Sequence, residues 1–364
     1  MPGKVSPDDL LTHVFERTGA AETDETVVQG PADGEDAAAI DWPDGEGTLV
    51  VSSDPISLAA EGVGELGVYV ATNDVAVSGA DPRWLTAVVL LPSDADSADN
   101  DAADSDATAD SDATADSDAT ADGTDSGGSL LEEISHDLDA AAREVGASIV
   151  GGHSEYVDQL ERPLLSLTAM GATNRFVPTG GAAPGDAVIL TKAAGLEGSA
   201  ILAADFGDEL DVDPDVRERA EAFLGEISVV PDARVVRDFA TAMHDPTEGG
   251  VAAGLLEVAR ASRVRLAVDR DAVPIREETA ALCEAAGVDP LRIFGSGALL
   301  ATVPADAVAD CLAALDDAGL ATAEIGTVRA LDGGDPELRL DDESITEPIE
   351  DDLYPLWERA DSEE

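Results

Sequence analysis

The sequence predicts an α/β protein of two domains, and three observations carry that reading. Short β-rich runs alternate with stretches of helical spacing along most of the chain. A cluster of breakers, Gly180-Gly181 followed by Pro184-Gly185-Asp186, divides the alternation in two. The 364 residues, 44% of them apolar, suffice for two cores of ordinary size.

Ser6 caps a first helix with Asp9 three residues on; Leu10, Leu11, Val14 and Phe15 form its face and Gly19 stops it. Residues 48–53 are a β-rich run ending at Asp54. Val63, Leu66, Val70 and Val77 keep helical spacing, with Gly79 as terminator. Residues 84–91 form a strand closed by Pro92. Ser129 and Glu132 make a capping box for a helix through Val145, ended by Gly146. Strands follow at 148–150 and 164–170. Beyond the breaker, residues 187–191 form a strand running into Lys192. Helices are expected near 198–204 and 233–242, and strands near 264–268, 298–303 and 323–328. The domains are expected at 1–171 and 185–335, with a tail at 336–364.

One segment is foreign to this pattern. Residues 93–128 repeat Asp-Ser-Asp-Ala-Thr-Ala from Asp104, Asp110 and Asp116. The unit has no large apolar residue to stack as a β-helix and lacks the glycines of a calcium loop. It reads as a disordered acidic insertion between a strand and a helix, where extra length costs little.

Charge excludes several functions. Twenty basic residues stand against 78 acidic ones, a net −58. Nucleic acid and anionic membranes need clustered Lys and Arg, so neither is an expected partner. Lys4 and Lys192 are the only lysines. Lysine scarcity with acidic excess matches the proteins of a halophilic archaeon with a salt-filled cytoplasm, where screening relieves self-repulsion. Cys283 and Cys311 form no CxxC pair and read as small buried hydrophobes in a reducing compartment. No apolar run approaches the length of a signal core or a membrane span. A cytoplasmic location is expected.

Three short motifs set carboxylates at element ends: Gly34-Glu35-Asp36, Ser52-Ser53-Asp54 and Asn73-Asp74. Acids from three separate elements suit Mg²⁺, which binds through one or two carboxylates plus phosphate oxygens and water. In so acidic a chain, ordinary surface acids explain the same residues. Gly151-Gly152-His153 and Lys192 through Gly198 are glycine-rich after strands, a pattern that presents backbone N–H groups to phosphate; neither is a Walker or dinucleotide fingerprint. His244-Asp245-Pro246-Thr247-Glu248-Gly249-Gly250 leads into a helix, as an anion site or as an Asp-Pro turn.

The order of these motifs, with Gly-Leu-Glu-Gly-Ser-Ala and Asp-Pro-Thr-Glu-Gly-Gly in the second half, resembles the superfamily of AIR synthetase, the hydrogenase-maturation protein HypE, thiamine-monophosphate kinase and selenophosphate synthetase. The similarity is greatest to archaeal AIR synthase-related, HypE-like proteins. It implies a two-domain AIR-synthetase-like fold and a homodimer joined through its N-terminal sheets. ATP and Mg²⁺ would bind where domains and subunits meet. Carried over, it implies Asp36, Asp54 and Asp74 at the metal. Lys4, Gly34, Asn73, Gly151, Gly152, Lys192 and Thr247 would lie near the nucleotide, and His153 and Asp245 in catalytic positions. The chain departs from HypE in having no cysteine in its last residues, and in reading Gly295-Ser296-Gly297 where HypE has Asn-Glu-Gly. The expected function is ATP-dependent activation or phosphorylation of a small substrate. The alternatives are a nucleotide-binding module acting through a protein partner, or a hydrogenase-maturation factor using a cysteine in trans.

Overall fold

The computed structural model describes residues 48–56, 62–93, 129–331 and 333–363, with shorter pieces at 3–4, 12–13, 17–20, 23–29 and 39–40. Most of the helix expected after Ser6, residues 94–128 of the insertion, and Gly34 and Asp36 lie outside these.

The N-terminal half carries strands β1 (Gly3–Lys4), β2 (Val27–Gln29), β3 (Ala39–Ile40), β4 (Thr48–Ile56), β5 (Asp81–Pro92), β6 (Ser148–Val157) and β7 (Leu164–Thr173). Five of them form a sheet in the order β1-β6-β5-β7-β4, while β2 and β3 pair with each other. Only β5 and β6 run parallel in the large sheet. Helices α1 (Val63–Val77) and α2 (Leu130–Val145) pack on each other, and α1 lies on β4 and β7. With neighbours on two sides, α1 is apolar over most of its surface: Val63, Leu66, Val68, Tyr69, Val75 and Val77 are all buried. At α2 the Ser129 hydroxyl accepts the Glu132 amide, and left-handed Gly146 ends the helix.

Several strands outrun their sequence expectation, and two of these extensions bear on the site. The 48–53 strand continues through Asp54 to Ile56, because pairing with β7 persists to Leu165. The 148–150 strand continues to Val157, so Gly151 and Gly152 lie inside β6 and not in a turn before a helix. Strand contact accounts for the second glycine: a Cβ there would sit 2.0 Å from the Ala87 carbonyl oxygen.

The C-terminal half builds a second sheet from β8 (Ala187–Thr191), β9 (Ala242–His244), β10 (Arg265–Val268), β11 (Leu300–Val303), β12 (Thr322–Arg329), β13 (Glu337–Leu340) and β14 (Glu343–Ile345). Their order is β14-β13-β10-β12-β8-β11-β9, with only β10 and β13 parallel. Around it lie α3 (Leu196–Phe206), α4 (Pro214–Glu221), α5 (Val230–Val236), α6 (Gly250–Ser262), α7 (Glu277–Ala286), α8 (Val308–Asp317) and α9 (Tyr354–Glu363). The single helix expected over 233–242 is instead α5 followed by β9, since Ala242–His244 pairs with β11.

The halves share a continuous apolar cluster that runs from Val63 and Leu66 through Ile227, Val230 and Val236. Polar contacts join them as well. Asp81 takes Arg234 at 3.0 Å and Arg237 at 2.9 Å, and Arg175 donates to the Ala240 carbonyl. Among the described residues no helix is long and apolar enough to cross a membrane.

Candidate functional site

Strand periodicity places the first acid. Along β4, Val51, Ser53 and Pro55 are exposed, while Ser52, Asp54 and Ile56 face the helix-covered side. Asp74 comes from the last turn of α1, which packs on that side. The Ser52 hydroxyl lies 2.6 Å from Asp74 Oδ2 and 3.1 Å from Asp54 Oδ2, so one donor serves two carboxylates. Burial, then the Asp74 charge, raises the Asp54 carboxyl above its ordinary range.

A third acid arrives from the other half. Asp245 directly follows β9; it is 4% exposed, and its Oδ2 is buried without a hydrogen-bond partner. Burial and then Asp74 push it up to about 7. Its neighbour His244 holds Glu257 Oε2 at 2.8 Å through Nε2. Burial opposes the imidazolium, but Glu257 and Asp245 outweigh that and raise it. Asp54, Asp74 and Asp245 thus form a run of mutually repelling carboxylates where the two halves meet.

Such a run suits a divalent cation: the ligands are hard oxygens, and the buried Asp245 Oδ2 has no hydrogen-bond partner. Among the described residues no three His, Cys, Asp or Glu side chains stand close enough to hold an ion alone. That is compatible with Mg²⁺, which keeps waters and takes phosphate oxygens beside one or two carboxylates.

The other expected residues fall in varied places. Lys4 pairs opposite Glu155 at the edge of the first sheet. His153 pairs with Val88, on the face of the sheet away from Asp54; its Nε2 lies 3.5 Å from Glu155. The structure therefore does not bring His153 to the three acids. Asn73 is fully buried, and its amide holds the Ile227 carbonyl and the Val229 N–H. Lys192 directs its ammonium onto the carbonyls of Glu226 and Ser228. Burial draws it below the ordinary lysine range, against the favourable Asp232 charge. Thr247 is exposed, and its carbonyl accepts the Gly250 and Gly295 amides. Gly195 and Gly249 each adopt left-handed backbone just before α3 and α6, the turn geometry their sequences suggest.

Sequence reasoning missed Glu257 and Glu197. Glu197 is 7% exposed, lies at the start of α3, and has an Oε2 with no partner. Burial pushes it up to about 7, opposed by hydrogen bonds from Ser296. Ser296 itself is 1% exposed. Nothing in a linear pattern distinguishes Glu197 from the other acids. The one available signal was its place between two glycines at a helix start.

Comparison with known proteins identifies the family and the fold. Residues 34–173 match the AIR synthase related protein N-terminal domain, and residues 183–338 match the corresponding C-terminal domain. The carbamoyl dehydratase HypE of Cupriavidus necator is 31% identical over 296 residues, covering 77% of this chain and 72% of that protein. The crystal structure of Escherichia coli HypE superposes with a TM-score of 0.70 at 23% identity, covering 94% of this chain and 97% of the other. A HypE structure in complex with ATP gives 0.65 at 24%, covering 89% and 87%. Both domain matches, on consecutive halves of a chain with this sheet order, make it a member of the AIR synthase-related family.

Proposed function

We propose that this protein is an ATP-using, Mg²⁺-requiring enzyme that activates or phosphorylates a small acceptor. The observation that carries the reading is the run of Asp54, Asp74 and Asp245 at the junction of the two halves. Ser52 ties the first two together, and the third holds an unpaired buried oxygen. Asp36 would complete the set from the segment before β4. Bound Mg²⁺ would supply charge neutralisation at the phosphates, where alignment and electrostatics do most of the catalytic work. The protein's part is to hold carboxylates at fixed spacing and to keep water from the transferred group. ATP bound by a HypE of similar fold supports the nucleotide.

Cys283 and Cys311 argue against a group carried on a cysteine of this chain. Burial pushes their thiols up to about 12 and about 11, so neither supplies a thiolate at neutral pH. A homodimer through the first sheet is supported by its uncovered face, where Val51 and Val88 are 53% and 37% exposed.

The test is nucleotide binding and ATP turnover by purified protein in molar KCl, with and without Mg²⁺. Asp54→Asn, Asp74→Asn and Asp245→Asn should each lower kcat/KM for Mg·ATP by about 100-fold or more, the scale of a lost charge-stabilising group. Nucleotide binding without turnover in the wild type would favour a binding module. Wild-type behaviour in all three variants would end the proposal.

A further inference from the structure

Four consecutive residues, Glu226-Ile227-Ser228-Val229, are gripped alternately from the two halves of the molecule. The Lys192 ammonium donates to the Glu226 carbonyl at 3.0 Å and the Ser228 carbonyl at 2.6 Å. Between these, the Asn73 amide donates to the Ile227 carbonyl at 3.1 Å and accepts the Val229 N–H at 2.8 Å. Ile227, Val229 and Asn73 are each 0% exposed, so water does not compete for these bonds. Asn73 immediately precedes Asp74 on α1.

Lys192 is held in this position at a cost. Its backbone has φ 55, the left-handed region that a lysine rarely adopts. Its ammonium is mostly buried, with Asp232 Oδ2 at 3.3 Å and Asp232 fully buried behind it. A strained, desolvated cation in a chain with only one other lysine is a poor choice for packing alone. Its position fits a strut that fixes the 226–229 segment against α1.

We propose that Lys192 is a positioning residue for the metal site: through the 226–229 segment and Asn73 it sets the placement of Asp74 against Asp245. This rests on the Mg·ATP reading above. In this role Lys192 acts through its protein partners, the Glu226 and Ser228 carbonyls and Asp232, and not through a contact with the nucleotide. It fixes the last turn of α1 relative to the loop after β9, and so fixes the spacing of carboxylates contributed by different halves. Residues that orient metal ligands from behind change affinity by about 10- to 100-fold when lost.

The experiment measures Mn²⁺·ATP capture by electron paramagnetic resonance, with hydrogen exchange at the Val229 amide as a readout independent of the metal. Lys192→Met keeps the apolar stem and removes the ammonium. It should weaken Mn²⁺·ATP binding about tenfold and speed exchange at Val229. Asn73→Ala should weaken binding similarly, and the double variant should be little worse than either, because both act through one segment. If Lys192→Met lowers the melting temperature but binds Mn²⁺·ATP as the wild type does, Lys192 is only structural and the proposal fails. If the wild type captures no Mn²⁺·ATP, the Mg·ATP reading falls, and this inference with it.

Discussion

Glu197 is the residue whose environment makes the sharpest pH statement. It is buried at the start of α3 and pushed up to about 7 from an ordinary 4.5, burial being the main cause. In the unfolded chain this carboxyl ionises near 4.5; in the folded protein it keeps its proton until about 7. The folded state therefore binds more protons across that window. The stability Glu197 contributes is full below 4.5 and is lost as pH rises through 7, a change of about 3 kcal/mol. Gln cannot ionise, so Glu197→Gln should gain on the wild type from pH 5 to about pH 7 and level off above that. Urea midpoints at constant molar KCl check this; parallel curves would show that Glu197 ionises without penalty. At the candidate site, the sequence exposed part of the picture at this scale. Asp54 and Asp74 were legible as acids near the ends of a strand and a helix. The face on which His153 lies could not be read, because it depends on β6 continuing past Gly151, and that follows from pairing with β5, which a local motif does not contain. Ser52 is plain only once Asp54 is known to lie within the strand, where residues two apart share a side.

Elements with strong local signals were the most readable. The Val63–Val77 helix and the Ser129 cap follow from local spacing and local hydrogen bonds, and both form as expected. The β13–β14 hairpin escaped notice because its two-residue connection, Asp341-Asp342, carries no glycine; Asp341 itself adopts φ 52. The C-terminal helix α9 depends on contacts no local pattern reveals. Just before it, Asp351 accepts the Gly249 N–H through Oδ2 at 2.8 Å and the Leu353 N–H through Oδ1 at 3.0 Å. This ties the segment to the start of α6. Trp357 then meets Phe206, Phe294 and Tyr354 with ring centroids 5.9 to 6.3 Å apart. Aromatics are only 3% of the chain, so a cluster of four marks where α9 is anchored. Asp351→Ala would leave the buried Gly249 N–H without its acceptor. We expect a loss of roughly 1–3 kcal/mol and a red-shifted Trp357 emission as α9 loosens. Unchanged emission together with unchanged stability would show that the aromatic cluster alone holds the helix.

For the whole molecule the dominant quantity is a net charge of −58. Two electrostatic effects oppose each other as salt rises. Screening weakens the favourable pairs at the junction, where Asp81 bridges Arg234 and Arg237 and is itself 43% exposed at the side chain. Screening also relieves repulsion among 78 acids that have only 20 cations to offset them. Partly exposed pairs contribute about 0–1 kcal/mol each, so the second effect wins. The Debye length falls from about 10 Å at 0.1 M to about 3 Å at 1 M, and most of the relief should be complete by the upper value. The melting temperature should therefore climb steeply between 0.1 and 1 M KCl and level off beyond it. Each ~1 kcal/mol of relieved repulsion raises it by about 2–4 °C in a domain of ~150–250 residues. Choline chloride at equal ionic strength separates causes: an equal rise identifies screening, and a rise with KCl alone identifies bound potassium. Asp81→Asn adds an internal control. Its destabilisation should shrink as salt increases while the wild type gains, because the same ions that quiet the surface also mute the junction pair. A melting temperature indifferent to salt would mean that the acids are too far apart, or too well solvated, to repel one another in the folded state.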